Sequence, residues 1–246
     1  MKTDYLKDKS FSKFFKFLLY LIFSICFTFA ELNQIKNTSE DLFKPLMDNT
    51  GWVLDEEKNN LSISKKSLSN KELIAIKIEK EVSLSPAVIQ EVILDVENYN
   101  QFLTNAESIQ SKMIDFSEHW IDAYQYIPSN IPFLSDREYF FRISSEKLLK
   151  EDTLSIIHWY LLDQKKYNKV KELKKDIIYL NYGAGLWLAN KTSSGKILLS
   201  YILYMDPGGS IPKFVIDKAN KNSVITLFED VLSEAKKRSP KKNSKK

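Results

Sequence analysis

Beyond Pro212 the apolar residues Val224, Leu227, Phe228, Val231 and Ala235 recur at intervals of three and four, the period of a helix with one apolar stripe. This long amphipathic helix follows segments that alternate apolar and polar residues, the pattern of strands with one face to a core and one to water. Ile74, Ile76, Ile78 and Val82 share one parity and Lys77, Glu79 and Glu81 the other. Trp52, Val53 and Leu54 open an earlier strand, and Leu61 and Ile63 alternate with Ser62 and Ser64 in the next; both read as half-buried and antiparallel. Such strands leave an apolar sheet face that a helix must cover.

The remaining elements follow the same rules. A short helix is expected at 41–48. Ser85-Pro86 supplies an N-cap with proline at the first helical position, and Val88, Ile89, Val92, Ile93 and Val96 supply helical spacing to an end near 98–100. Strand patterns fill 108–162, with turns around 127–135 and 149–152, and return at 177–189 and 197–205. The fold class is therefore α+β, built on an antiparallel sheet, and not a parallel doubly wound fold. Seven prolines and six glycines are scattered through the chain, with no linker, internal repeat or glycine-rich phosphate loop. A single domain at 31–238 is expected, with a basic disordered tail at 239–246.

Residues 1–30 read as a signal peptide: Lys2, Lys7, Lys9, Lys13 and Lys16 precede an apolar run at 17–29. Thr28 and Ala30 are small residues where cleavage needs them, so an exported, periplasmic or secreted product cut near Ala30 is expected. The alternative is a membrane anchor formed by the uncleaved segment, although the run is short for a span of about 20 residues. Cys26, the only cysteine, falls inside this segment, so the mature chain has no disulfide or thiol chemistry. Past position 30 there are 31 basic and 30 acidic residues. Seven of the basic ones are Lys236, Lys237, Arg238, Lys241, Lys242, Lys245 and Lys246, where no acid occurs, so the body is acidic. The tail is either a solvated end or a patch drawn to anionic bilayers at about 1 kcal/mol per cation. Nucleic acid is not an expected partner of an acidic, exported body.

Two stretches resemble the steroidogenic acute regulatory protein-related lipid-transfer, or START, family. Ile131-Pro132-Phe133-Leu134-Ser135-Asp136-Arg137-Glu138 is similar to the Pro-x-x-Leu-Ser-Asp-Arg-Asp/Glu segment of bacterial members. Tyr204-Met205-Asp206-Pro207-Gly208-Gly209-Ser210-Ile211-Pro212 resembles the family's Asp-Pro-Gly-Gly-x-Ile-Pro turn into the terminal helix. The resemblance runs from about Trp52 to Ala235. It implies a helix-grip fold, a curved antiparallel sheet wrapped around the C-terminal helix, with an apolar cavity that holds one lipid or similar hydrophobic molecule. No catalysis is implied, and a monomeric carrier in transient contact with membranes, without a cofactor, is expected. Related helix-grip folds also host cyclases and hydrolases, so an enzyme on this scaffold, or an interaction domain with a filled core, stands as the alternative.

Alternation places Arg137, Tyr139, Phe141 and Ile143 on one face of a strand and Arg142 on the other, provided no bulge intervenes. Arg137 then either meets a ligand head group or pairs with an acid such as Asp206, since a buried charge needs a partner. Sterol-carrying members have an interior arginine further along, where Ile143 stands here, which argues against a sterol. Tyr139, Phe141, Trp159, Tyr201, Leu227, Phe228 and Val231 are the expected ligand-binding residues with Arg137, although a cavity face and a core face read alike. Asp206, Pro207, Gly208 and Gly209 form either a hinge or a tight connection. His119 and His158 are far apart without ligand partners, so no metal site is expected. No nucleophile elbow or acid-base carboxylate pair is present, so no catalytic residue is named; His158 reads as a hydrogen-bonded core residue.

Overall fold

Isoleucine, valine and aromatic residues dominate the central strands because they fit a pleated, buried surface, and these strands pair into one large sheet. The computed structural model describes residues 38–68, 74–104, 109–129, 135–146, 153–167, 177–209 and 213–240, all within the compact unit Thr38–Lys246. Residues 1–30, where a signal peptide and its cleavage are expected, the stretch 131–134 of the first motif, the expected turn at 149–152, residues 210–212 and the lysines at 241–246 lie wholly or in part outside the described residues.

Ten strands occur among those residues: β1 Val53–Lys58, β2 Leu61–Ser67, β3 Ile74–Val82, β4 Gln110–Phe116, β5 Trp120–Ile127, β6 Arg137–Glu146, β7 Thr153–Leu161, β8 Ile178–Tyr179, β9 Gly183–Lys191 and β10 Ile197–Met205. Their order across the sheet is β1-β2-β3-β10-β9-β7-β6-β5-β4, with β8 beside β6. Neighbours along that path run antiparallel, and the short β8 pairs parallel with β6. The helices are α1 Phe43–Met47, entered through a 3-10 turn at Ser39–Leu42, α2 Pro86–Leu94, α3 Tyr99–Phe102, α4 Gln164–Tyr167 and α5 Lys213–Arg238. The architecture is the α+β plan read from the sequence: a curved antiparallel sheet with one long C-terminal helix.

One face of the sheet carries the main core. Val224, Phe228, Val231 and Ala235 of α5 and Ile89, Val92 and Ile93 of α2 are buried there against Ile78, Trp187, Leu199 and Tyr201. At its described beginning α5 is tied to the edge strand by Lys221, whose Nζ lies 2.7 Å from Asp55 and 2.6 Å from Glu56. At its end Arg238 meets Asp95 at 2.7 Å, beyond the last turn of α2, and Glu234 at 3.0 Å. Arg238, grouped by sequence with the basic end, is thus an ion-paired helical residue.

Three expectations need correction. The middle strands do not show their second face to water: Leu42 and Leu46 cover Ala75, Ala184, Leu186, Ile202 and Tyr204 in a second core. Burial on both faces explains why β10 reads as an almost continuous apolar run. Next, β1 is not half-buried, since Val53 is 68% and Leu54 57% exposed; it is an edge strand with no partner on its outer side among the described strands. Finally, α2 stops at Leu94 rather than near 98–100, because Asp95 leaves the helical region at φ −80, ψ 57, and a 3-10 turn and α3 follow. Ser85 sits at the N-cap in extended conformation, but its side chain makes no capping hydrogen bond.

Candidate ligand cavity

The register between β5 and β6 is unbroken from Trp120 opposite Ser144 to Ile127 opposite Arg137. No bulge intervenes, so Tyr139, Phe141 and Ile143 stay on the face turned to α5, as the alternation predicts. Trp159 of β7 lies opposite Ile143 on one side and Gly185 on the other. Glycine is needed at 185, since a Cβ there would sit 2.5 Å from the indole Nε1 of Trp159. Trp187 stacks on Tyr201 at 4.1 Å between centroids, with planes 15° apart. Between these rings and α5 lies a cavity of about 290 Å³.

Six of the eight residues expected to bind a ligand line this space: Tyr139, Phe141, Trp159, Tyr201, Leu227 and Val231. Two stand elsewhere. Phe228 is fully buried and stacks on Trp187 at 5.7 Å, so it seats the helix on the sheet. Arg137 is 8% exposed and is not among the lining residues. Its guanidinium donates to the backbone carbonyls of Ser135 and, at 3.3 Å, of Pro207, not to the carboxylate of Asp206. Nη2 of Arg137 is buried with no hydrogen-bond partner among the described residues.

At the corner before α5, Asp206 accepts a hydrogen bond from the backbone N–H of Gly208 at 2.9 Å. Gly208 and Gly209 adopt φ of 63 and 73, where a side chain is strained. A Cβ on either would also lie 2.8 Å from Ile178. The corner is therefore packed closely against β8, and Pro207 receives Arg137.

Several lining residues were not singled out from the sequence. Tyr99 of α3 donates its hydroxyl to the carbonyl of Ile93. Gln125 of β5, 7% exposed, donates from Nε2 to Oγ of Ser111 at 2.9 Å and accepts the hydroxyl of Tyr139. Asp230 of α5 accepts the backbone N–H of Thr104 at 2.7 Å and its hydroxyl at 2.8 Å. Leu103 and Ile109, which flank that contact in the chain, line the cavity too. Burial pushes the phenols of Tyr99, Tyr139 and Tyr201 above their ordinary value, so all three are neutral hydroxyls at physiological pH. The wall is thus aromatic and aliphatic, with a few neutral polar groups and one carboxylate.

The opposite face of the sheet carries a different set. Arg142 grips Asp122 through two hydrogen bonds, at 2.6 and 2.8 Å, and lies 3.9 Å from the Trp120 ring centroid. His158 belongs to this face as well, with its ring 5.0 Å from that of Phe43; it is a half-buried residue beneath α1. Among the described residues no group of three or more His, Cys, Asp or Glu side chains is placed to hold a metal ion. No helix among them is long and apolar enough to cross a membrane.

No protein-family model and no curated protein sequence matches the chain. Solved structures do resemble it. The STAR-related lipid transfer protein of Xanthomonas axonopodis aligns with a TM-score of 0.63 at 14% identity, over 76% of this chain and 99% of that one. Human STARD10 aligns with a TM-score of 0.65 at 19% identity, over 81% of this chain and 78% of the other. Human StAR-related lipid transfer protein 5 gives 0.62 at 15% identity, over 81% and 93%. At these identities the likeness is one of fold.

Proposed function

We propose that this chain, whose fold is that of the START domains, binds one hydrophobic molecule in the cavity under α5 and carries it between membranes without altering it covalently. The observation that carries this reading is the cavity itself, about 290 Å³ walled by Phe141, Trp159, Tyr201, Leu227 and their neighbours. Protein interiors are ordinarily close-packed, and an apolar space of this size is costly to keep unless something fills it. Each methylene transferred from water into it contributes about 0.8 kcal/mol.

The carrier acts after export, as a monomer, and loads by touching a bilayer; Lys236 and the lysines at 241–246 would draw it to anionic lipid. The corner at Asp206, Pro207, Gly208 and Gly209 would serve as the point about which α5 swings during exchange.

A transfer assay tests this reading. Donor vesicles carrying a fluorescent single-chain lipid are mixed with unlabelled acceptors, and the transferred molecule is recovered for mass analysis. The expected result is transfer in proportion to protein concentration with the mass unchanged. Absence of transfer removes carriage, and a changed mass replaces it with an enzyme.

A further inference from the structure

Ser111, Gln125 and Tyr139 lie side by side across three strands, since Ser111 pairs with Gln125 and Gln125 with Tyr139 in the sheet register. Their side chains form one hydrogen-bonded row, in which the Gln125 amide donates to Ser111 and accepts from Tyr139. Gln125 and Tyr139 both face the cavity, and both are more than nine-tenths buried. A primary amide has two donor hydrogens and two acceptor lone pairs. The row uses one of each and holds the amide in a single orientation, leaving one donor and one acceptor for something else. The Tyr139 oxygen keeps acceptor capacity as well, because its proton is committed to Gln125.

Every member of this row is neutral. The charged side chain among the described lining residues is Asp230, a carboxylate, which repels an anion entering the cavity. A charged head of either sign beside Gln125 would surrender its hydration for one neutral amide group, and a buried charge so poorly compensated is costly. An uncharged donor or acceptor loses far less water and gains a preorganised partner. Size sets a second limit. A cavity of about 290 Å³ is at the small end of the range of ligand pockets and suits one chain or one compact ring system better than two acyl chains.

We infer that the Ser111–Gln125–Tyr139 row recognises the head of the ligand and selects an uncharged hydrogen-bonding group, such as a hydroxyl, ketone or primary amide, on a molecule with one chain or one ring system. This rests on the carrier reading above, and it specifies the ligand class of the same cavity.

The test uses decan-1-ol, decanamide, decanoate, decylammonium and a dilauroyl phosphatidylcholine as probes, each titrated into the full chain and followed as a protein adduct by native mass spectrometry. Wild-type protein is expected to hold decanamide and decan-1-ol about tenfold more tightly than decanoate or decylammonium, and to hold no diacyl lipid. Gln125→Leu, which keeps shape and removes the amide, is expected to retain binding but bring the neutral and charged probes to nearly equal affinity. Tyr139→Phe, which releases the amide from its fixed orientation, narrows the preference less and serves if Gln125→Leu does not fold. Decanoate or decylammonium binding as tightly as the neutral probes, or a preference that survives both substitutions, overturns the inference and leaves the carrier reading standing. Failure of every probe to bind overturns the carrier reading itself.

Discussion

The rings of Trp187 on β9 and Phe228 on α5 lie 5° from parallel with centroids 5.7 Å apart, which seats the C-terminal helix on the sheet at one aromatic contact. One residue earlier, Leu227 lines the cavity while remaining only half-buried. Adjacent positions on one helix therefore divide the work, Phe228 holding the helix and Leu227 facing the ligand.

Phe228→Ala is expected to cost about 3–5 kcal/mol of stability, as for other buried phenylalanines, and Leu227→Ala much less. Ligand affinity should respond more to Leu227→Ala. Urea unfolding of both variants, paired with a binding titration, checks the division; equal losses of stability would count against it.

Gly208→Ala combines a positive φ with a Cβ 2.8 Å from Ile178, so a loss of about 1–2 kcal/mol is expected. If the corner is also the point about which α5 swings, the folded variant exchanges ligand more slowly between vesicles. Destabilisation with an unchanged exchange rate would leave the corner as a tight connection only.

Acid should loosen the ties between α5 and its surroundings. Hydrogen bonds from Lys221, then Lys65, hold the Asp55 carboxyl below its ordinary value, and Arg238, then Lys237, does the same for Glu234. A carboxylate whose folded pKa is depressed contributes stability above its unfolded pKa and loses it as pH falls through the folded value. The window therefore opens at about pH 4 and extends downward. Lys221→Met should lower the urea midpoint at neutral pH, and the gap to wild type should close toward about pH 2. These pairs are part-buried and reach solvent, so salt should shrink the gap as well; a gap constant with pH would contradict the assignment.

On the outer face, Asp122→Ala removes the two hydrogen bonds that Arg142 donates to the Asp122 carboxylate. The Asp122 side chain is 3% exposed and that of Arg142 22%, so the loss is expected to be about 3 kcal/mol. Replacing both, as Asp122→Ala with Arg142→Met, should recover part of it, because no charge is then left behind. A double variant no better than the single one would show that the pair does more than balance its own burial.

The β6 face was legible because Arg137 to Ile143 alternate without interruption and the register keeps that alternation. Gln125 was not legible: Asp122, Ala123, Tyr124 and Gln125 are all buried, and a strand covered on both faces has no polar side to reveal its orientation. The contact of Thr104 with Asp230 joins residues 126 positions apart, which no local pattern encodes. Parity puts Arg137 on the inner face, toward a ligand or Asp206, but its guanidinium takes the Pro207 and Ser135 carbonyls, a choice made by the corner's backbone. Likewise a stripe of Val224, Leu227, Phe228 and Val231 predicts which side of the helix is apolar, not which member of it meets a cavity.

Carriage depends on one hydrophobic molecule occupying the space between α5 and the sheet. Native mass spectrometry of the chain after incubation with vesicles doped with decan-1-ol and decanamide, run beside an Ile143→Trp variant that fills the cavity, checks this. One adduct per chain is expected in the wild type and none in the folded variant. An adduct of the same mass and stoichiometry in both, or no adduct in the wild type, would contradict it.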